Sequence, residues 1–153
     1  MGFFGKVFRA LRGTGDRNMG PHVTGRVTSG DLVTEMAGGA NLVDGKNTWE
    51  LAEDRKHDLE FMKKCCDAEL ATLAQADLVP APYYFERVAI LSRKAKDYGQ
   101  EVAYCEKYIR VVEDYYRRNT GRGIADVRDG PTYRAIVHRL VKARDLLAKQ
   151  RTA

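Results

Sequence analysis

From Asn47 onward, apolar residues return every three or four positions, and prolines and glycines cut the pattern at a few points. Leu51, Leu59, Met62, Cys66, Leu70 and Leu73 keep helical spacing and predict one amphipathic helix over about 48–76. Asn47 offers an N-cap with Glu50 three residues on, a variant of the capping box. "VPAP" stops that helix, because the residue before a proline is pushed out of the helical region. Pro82 then suits the first turn of the next helix, where its missing N–H costs nothing. Tyr84, Val88, Leu91 and Ala95, with Phe85 and Ala89, mark that helix's inner face. A third helix follows Tyr98 and carries Val102, Cys105, Ile109, Val112 and Tyr116, a face that Tyr104, Tyr108, Val111 and Tyr115 broaden. "RRNTGRG" ends it with basic residues and glycine. "DGPTY" opens a fourth, with Ile136, Val137, Leu140, Val141, Ala143 and Leu147 inward. The pattern predicts an all-α fold: a small helical domain of about four helices over residues 48–153.

The front of the chain is different. Most of the 14 glycines lie between residues 13 and 47, among Asn, Asp, Thr and Ser. Ordering so much glycine is costly, so 13–47 is expected to be a glycine-rich loop or flexible region, with a short strand or turn at 31–36. Residues 1–12 form an amphipathic segment: Phe3, Phe4, Val7, Phe8 and Leu11 near one helical face, Lys6, Arg9 and Arg12 near the other.

Charge is mild overall, +5, but uneven. Residues 1–48 hold six basic against four acidic residues, 49–80 four against eight, and 81–153 sixteen against nine, hence +2, −4 and +7. An acidic helix beside a basic C-terminal half suits internal complementarity as well as an acidic partner. The three cysteines do not make a disulfide framework and fit a reducing, cytoplasmic setting. No apolar run approaches membrane-spanning length, and Lys6 stands where an N-myristoylation signal needs Ser or Thr.

Nothing spells out catalysis. "GGANLVDGKNT" is near a phosphate-binding loop, but Gly39 is one residue too far from Gly45 and Asn47 replaces the hydroxyl after Lys46. It reads better as a turn into the capped helix. His22, His57 and His138 have no partner at metal-ligand spacing, and Cys65 and Cys66 fall on the apolar side of a helix, where small buried thiols are common. The expectation is no enzyme, no metal and no cofactor.

"APYYFERVAILSRKAKDYGQEVAYCEKYI" resembles a tetratricopeptide-type helical hairpin over about residues 82–115. Phe85, Ala89, the turn ending at Tyr98, and Val102 fall where that repeat places comparable residues. Ser92 stands at an aromatic position, and Glu101 and Tyr108 stand at small-residue ones. One repeat cannot bury its own apolar face. Helices 48–76 and 131–150 are therefore expected to cover it. The resemblance implies a protein-docking scaffold.

Two functions follow as expectations. The first is a non-enzymatic protein–protein interaction module, an adaptor or inhibitor that acts by binding, with Phe3, Phe4, Phe8, Tyr104 and Tyr108 as partner contacts. Self-association through such aromatics stays open. The alternative is a nucleic-acid-binding protein using Arg117, Arg118, Arg122 and Arg128, whose guanidinium groups interleave with Tyr115 and Tyr116. Its plain counterpart is that these arginines satisfy a helix C-terminus while the tyrosines pack inward.

Overall fold

A computed structural model describes residues 27–120 and 125–153. Its elements, in chain order, are α1 (Ser29–Met36), β1 (Leu42–Val43), β2 (Lys46–Asn47), α2 (Thr48–Ala52), α3 (Leu59–Ala76), α4 (Pro82–Lys94), α5 (Tyr98–Arg118), a 3-10 turn (Val127–Asp129) and α6 (Pro131–Thr152). The all-α expectation holds; β1 and β2 form only a two-residue antiparallel ladder pairing Leu42 with Asn47 and Val43 with Lys46.

The hairpin α4–α5 lies at the centre. α3 packs on α4, while α6 packs on both α4 and α5. Between them lie Phe61, Met62, Cys65 and Cys66 of α3, and Phe85, Val88 and Ala89 of α4. α5 adds Cys105, Tyr108 and Val112, and α6 adds Tyr133, Ile136 and Leu140. The rings of Phe85 and Tyr108 meet at 4.8 Å between centroids, and Tyr108 lies 6.2 Å from Tyr133. So the flanking helices cover the hairpin, as its unburied face requires.

Four expectations are corrected. The single helix over 48–76 is two, because Asp58 starts α3 afresh and accepts a hydrogen bond from the Phe61 N–H at 2.9 Å. The break is pinned from outside by Arg87 of α4, whose Nε donates to the Lys56 carbonyl at 3.0 Å. Second, residues 31–36 belong to a helix, not a strand or loop. Thr28 and Asp31 form a reciprocal capping box at its start (Thr28 N–H to Asp31 Oδ2, 2.8 Å; Asp31 N–H to Thr28 Oγ1, 3.2 Å). Gly38 closes its end in the left-handed region, φ 57°, with the Gly39 N–H reaching back to the Thr34 carbonyl at 3.0 Å. The "DG" at 44–45 takes the two positive φ angles of a tight hairpin turn, 50° and 76°. The phosphate-loop lookalike is thus a turn leading into α2.

Third, Cys105 and Val112 of the expected α5 face are buried, together with Tyr108 and Tyr115, but Val102, Ile109 and Tyr116 are only partly buried and Glu101 completes the stripe in their place. On α4, Ser92 is fully buried and Leu91 only partly, while Ala95 is exposed. Fourth, Val137 and Val141 of α6 face outward.

Glu101 explains the shift. It is wholly buried where α4, α5 and α6 meet. Arg93 of α4 donates from Nε to Glu101 Oε2 at 2.9 Å, and Arg139 of α6 donates to Oε1 at 3.2 Å. Arg93 also reaches the Arg139 carbonyl at 3.2 Å. A buried carboxylate is tolerated when it is paired and hydrogen-bonded, and here the pairing ties three helices together. Ser92 beside it donates to the Val88 carbonyl at 2.7 Å and accepts from Gln100 Nε2 at 2.8 Å.

Candidate docking surface

The helical body keeps its reactive chemistry to itself. Cys65, Cys66 and Cys105 are free and buried. Burial pushes the Cys65 and Cys105 thiols up to about 12 and Cys66 higher still, so none is a thiolate near neutral pH.

The arginine loop is locally paired wherever it is described. Arg117 bonds Asp114, and Arg118 pairs with Asp77 at 3.5 Å. Arg128 grips Asp126 through Nε at 2.9 Å, reaches Glu113 at 2.9 Å, and lies 4.6 Å over the Tyr116 ring. The hydrogen-bonded Asp126 carboxylate, and after it Glu113, favour the charged form of the Arg128 guanidinium. Tyr116 donates to the Ala125 carbonyl at 3.0 Å and accepts from the Val127 N–H at 2.8 Å, so this aromatic closes the loop. Arg122 lies outside the described residues.

Of the expected partner contacts, Phe3, Phe4 and Phe8 also lie outside the described residues. Tyr108 is corrected: it is wholly buried, its hydroxyl donates to the Pro80 carbonyl at 3.0 Å, and burial raises its phenol far above the usual range. It is a core residue. Tyr104 is partly buried, 6.5 Å from Phe85, with its phenol pushed up to about 12 by burial.

Apart from Val137 and Val141 on α6, the exposed large apolar side chains among the described residues lie at the α1–α2 end. Trp49, the chain's one tryptophan, is 53% exposed. Its ring lies flat enough on α1 that a Cβ at Gly30 would sit 2.4 Å from it. Met36 is 47% exposed and Val27, just before the cap, 67%. Helical spacing groups Leu32, Val33 and Met36 on one side of α1, of which Val33 is the neighbour of the Gly30 position that meets the indole. Neither Leu32 nor Val33 belongs to the main apolar cluster.

This end is stiffened from beneath. Asn41 Nδ2 donates to Thr34 Oγ1 at 2.9 Å and to Asn47 Oδ1 at 2.8 Å. Glu50 accepts from both the Asn47 N–H (3.0 Å) and its Nδ2 (2.9 Å), which lowers the Glu50 carboxyl. The network fixes α1, the hairpin and α2 to one another, and Val43 anchors the hairpin in the core. This end is therefore held in place, and Asp31, Glu35 and Glu50 are exposed on it beside the apolar side chains. The glycine-rich composition of 13–47 hides α1, although "TSGD" and "GG" mark both of its ends.

No helix among the described residues is long and apolar enough to cross a membrane. No protein-family model matches the chain, and neither a curated protein nor a solved structure matches it.

Proposed function

We propose that this chain is a non-enzymatic module that binds a protein partner by contact, as an adaptor or inhibitor, in a reducing cytoplasmic setting. The carrying observation is the exposed apolar side chains at the α1–α2 end, Trp49, Met36 and Val27. A half-exposed indole, a methionine and a valine share one braced end, while the described thiols are buried. Tryptophan and methionine are enriched in protein interfaces, and a tryptophan at the middle of one commonly carries much of the binding free energy. The likeness of residues 82–115 to a tetratricopeptide hairpin supports a scaffold role for the body beneath, with Tyr104 and the N-terminal phenylalanines Phe3, Phe4 and Phe8 as further contacts.

Affinity capture from the native host with the full chain, at low and at high salt, tests this. A protein should be retained at both salt concentrations by the wild type and released by the pair Trp49→Ala and Met36→Glu. Retention of nucleic acid, falling steeply as salt rises, would point instead to the arginines and overturn the proposal.

A further inference from the structure

Residues 131–153 hold six basic residues, Arg134, Arg139, Lys142, Arg144, Lys149 and Arg151, against one acid, Asp145. Two of the six are used within the fold. Arg139 turns inward to Glu101 at 3.2 Å, and Arg144 pairs with Glu106 of α5 at 2.8 Å. Arg134, Lys142, Lys149 and Arg151 have no carboxylate partner among the described residues. Helical spacing sets Arg134, Val137 and Val141 in one row along α6, and His138, Lys142, Asp145 and Lys149 in the row beside it. Every member of both rows is exposed, Val141 at 61% and Val137 at 40%. Arg134 and Lys149 lie about 22 Å apart along the axis, so the cations span most of the helix. At its C-terminal end Gln150 Nε2 donates to the Lys96 carbonyl at 3.2 Å, which holds the α4–α5 turn against α6 and brings exposed Lys94 and Lys96 to that end. The acid of that turn, Asp97, caps α5 by accepting from the Gln100 N–H at 2.9 Å.

Valines bordered by unpaired cations on the outward side of one long helix match a surface that is both anionic and apolar. A charged lipid leaflet is such a surface: its headgroups take the lysines and arginines, whose stems lie along apolar material, and its interface takes the valines. A nucleic-acid backbone would meet the cations but set the valines against phosphates. The two rows also carry no amide to read a base and no Phe, Tyr or Trp to stack on one. A second copy laid on the same face would set cations on cations. We propose that the outward side of α6 docks this protein on an anionic lipid surface, lying in the plane of the interface without crossing it. The assignment is independent of protein docking at the α1–α2 end.

The full chain is sedimented with vesicles of phosphatidylcholine alone and of equimolar phosphatidylcholine and phosphatidylserine, near physiological ionic strength. Wild type should bind the phosphatidylserine vesicles and leave the others. Near an anionic leaflet each Lys or Arg strengthens binding about fivefold, so Lys142→Ala with Lys149→Ala should weaken partitioning roughly twenty-five-fold. Val137→Ser with Val141→Ser should weaken it several-fold with the charge unchanged. All four positions are exposed, and a circular-dichroism melt checks that the body stays folded. Arg134→Ala with Arg151→Ala is a second cation variant, should the first fail to fold. No binding of wild type to phosphatidylserine vesicles overturns the proposal. So does equal binding by wild type and the cation variants, which places the contact elsewhere on the chain. A loss confined to the cation variants, with the valine variant binding like wild type and duplex DNA competing the protein off the vesicles, also overturns it, in favour of a surface for any polyanion. Capture of a protein through Trp49 and Met36 is read separately and stands or falls without reference to these vesicles.

Discussion

Glu101 shows how one side chain can disguise a helix register. Read as polar, it directs the eye to Val102 and Ile109; buried between Arg93 and Arg139, it sets the true inner stripe of α5. A buried ion pair adds little over an apolar replacement of the same shape, but breaking one strands a charge. Glu101→Ala should therefore lower the unfolding free energy by about 3 kcal/mol in urea titration. A loss below about 1 kcal/mol would mean that the arginines turn to solvent instead. Glu69 is a second acid placed against water's advantage. Burial raises its carboxyl, against the opposing hydrogen bonds from the Ala81 N–H at 2.8 Å and from Thr48. An acid whose folded pKa lies above its unfolded value binds more protons folded, so its stabilising share is complete below the ordinary value of 4.5 and is lost as pH climbs through the folded value. Glu69→Gln keeps an acceptor for Ala81 and removes the titration. The gap in stability, variant minus wild type, should widen as pH rises above about 4.5. A gap that stays flat or narrows contradicts the burial of this carboxyl.

At the scale of elements, α6 separates cleanly into faces: Ile136 and Ala143 are wholly buried, whereas Val137 and Val141 are exposed. Ile136→Ala should cost about 2–5 kcal/mol, and Val141→Ala should stay within about 0.5 kcal/mol. Equal losses at the two positions would mean the helix is turned from the orientation described. Spacing alone grouped all four as inward, because valines one turn apart on an exposed face look the same as core valines. What was legible in the chain was legible through stops and starts. The prolines at 80, 82 and 131 and the cap at Asn47 located the ends of α3, α4 and α6 and the start of α2. Two elements escaped. α1 did so because its short apolar run is framed by glycines, which suggest looseness, although Gly38 in fact closes the helix with a left-handed residue. The 53–58 break did so because Leu51 and Leu59 remain in helical phase across it. The empty stretch between them, with Asp58 at its end, was the available signal.

At the scale of the whole molecule, the α4–α5 hairpin is covered on both sides by its own chain. α3 and α6 bury its two sides, and the Glu101 pairing closes the seam with α6. The proposed docking surface falls at the end where α1 and α2 are braced by the Thr34–Asn41–Asn47 bonds. That surface was not legible in the sequence, because the exposure of Trp49 follows from the glycine beneath it on another helix. The most direct measurement is photo-crosslinking from a benzoylphenylalanine placed at position 36, with position 141 as the control on the other exposed apolar site, in an extract of the native host. A discrete protein adduct from position 36, absent from position 141 and abolished by Trp49→Ala, is the expected result. Adducts from position 141 alone, or none from either position, would contradict docking at the α1–α2 end.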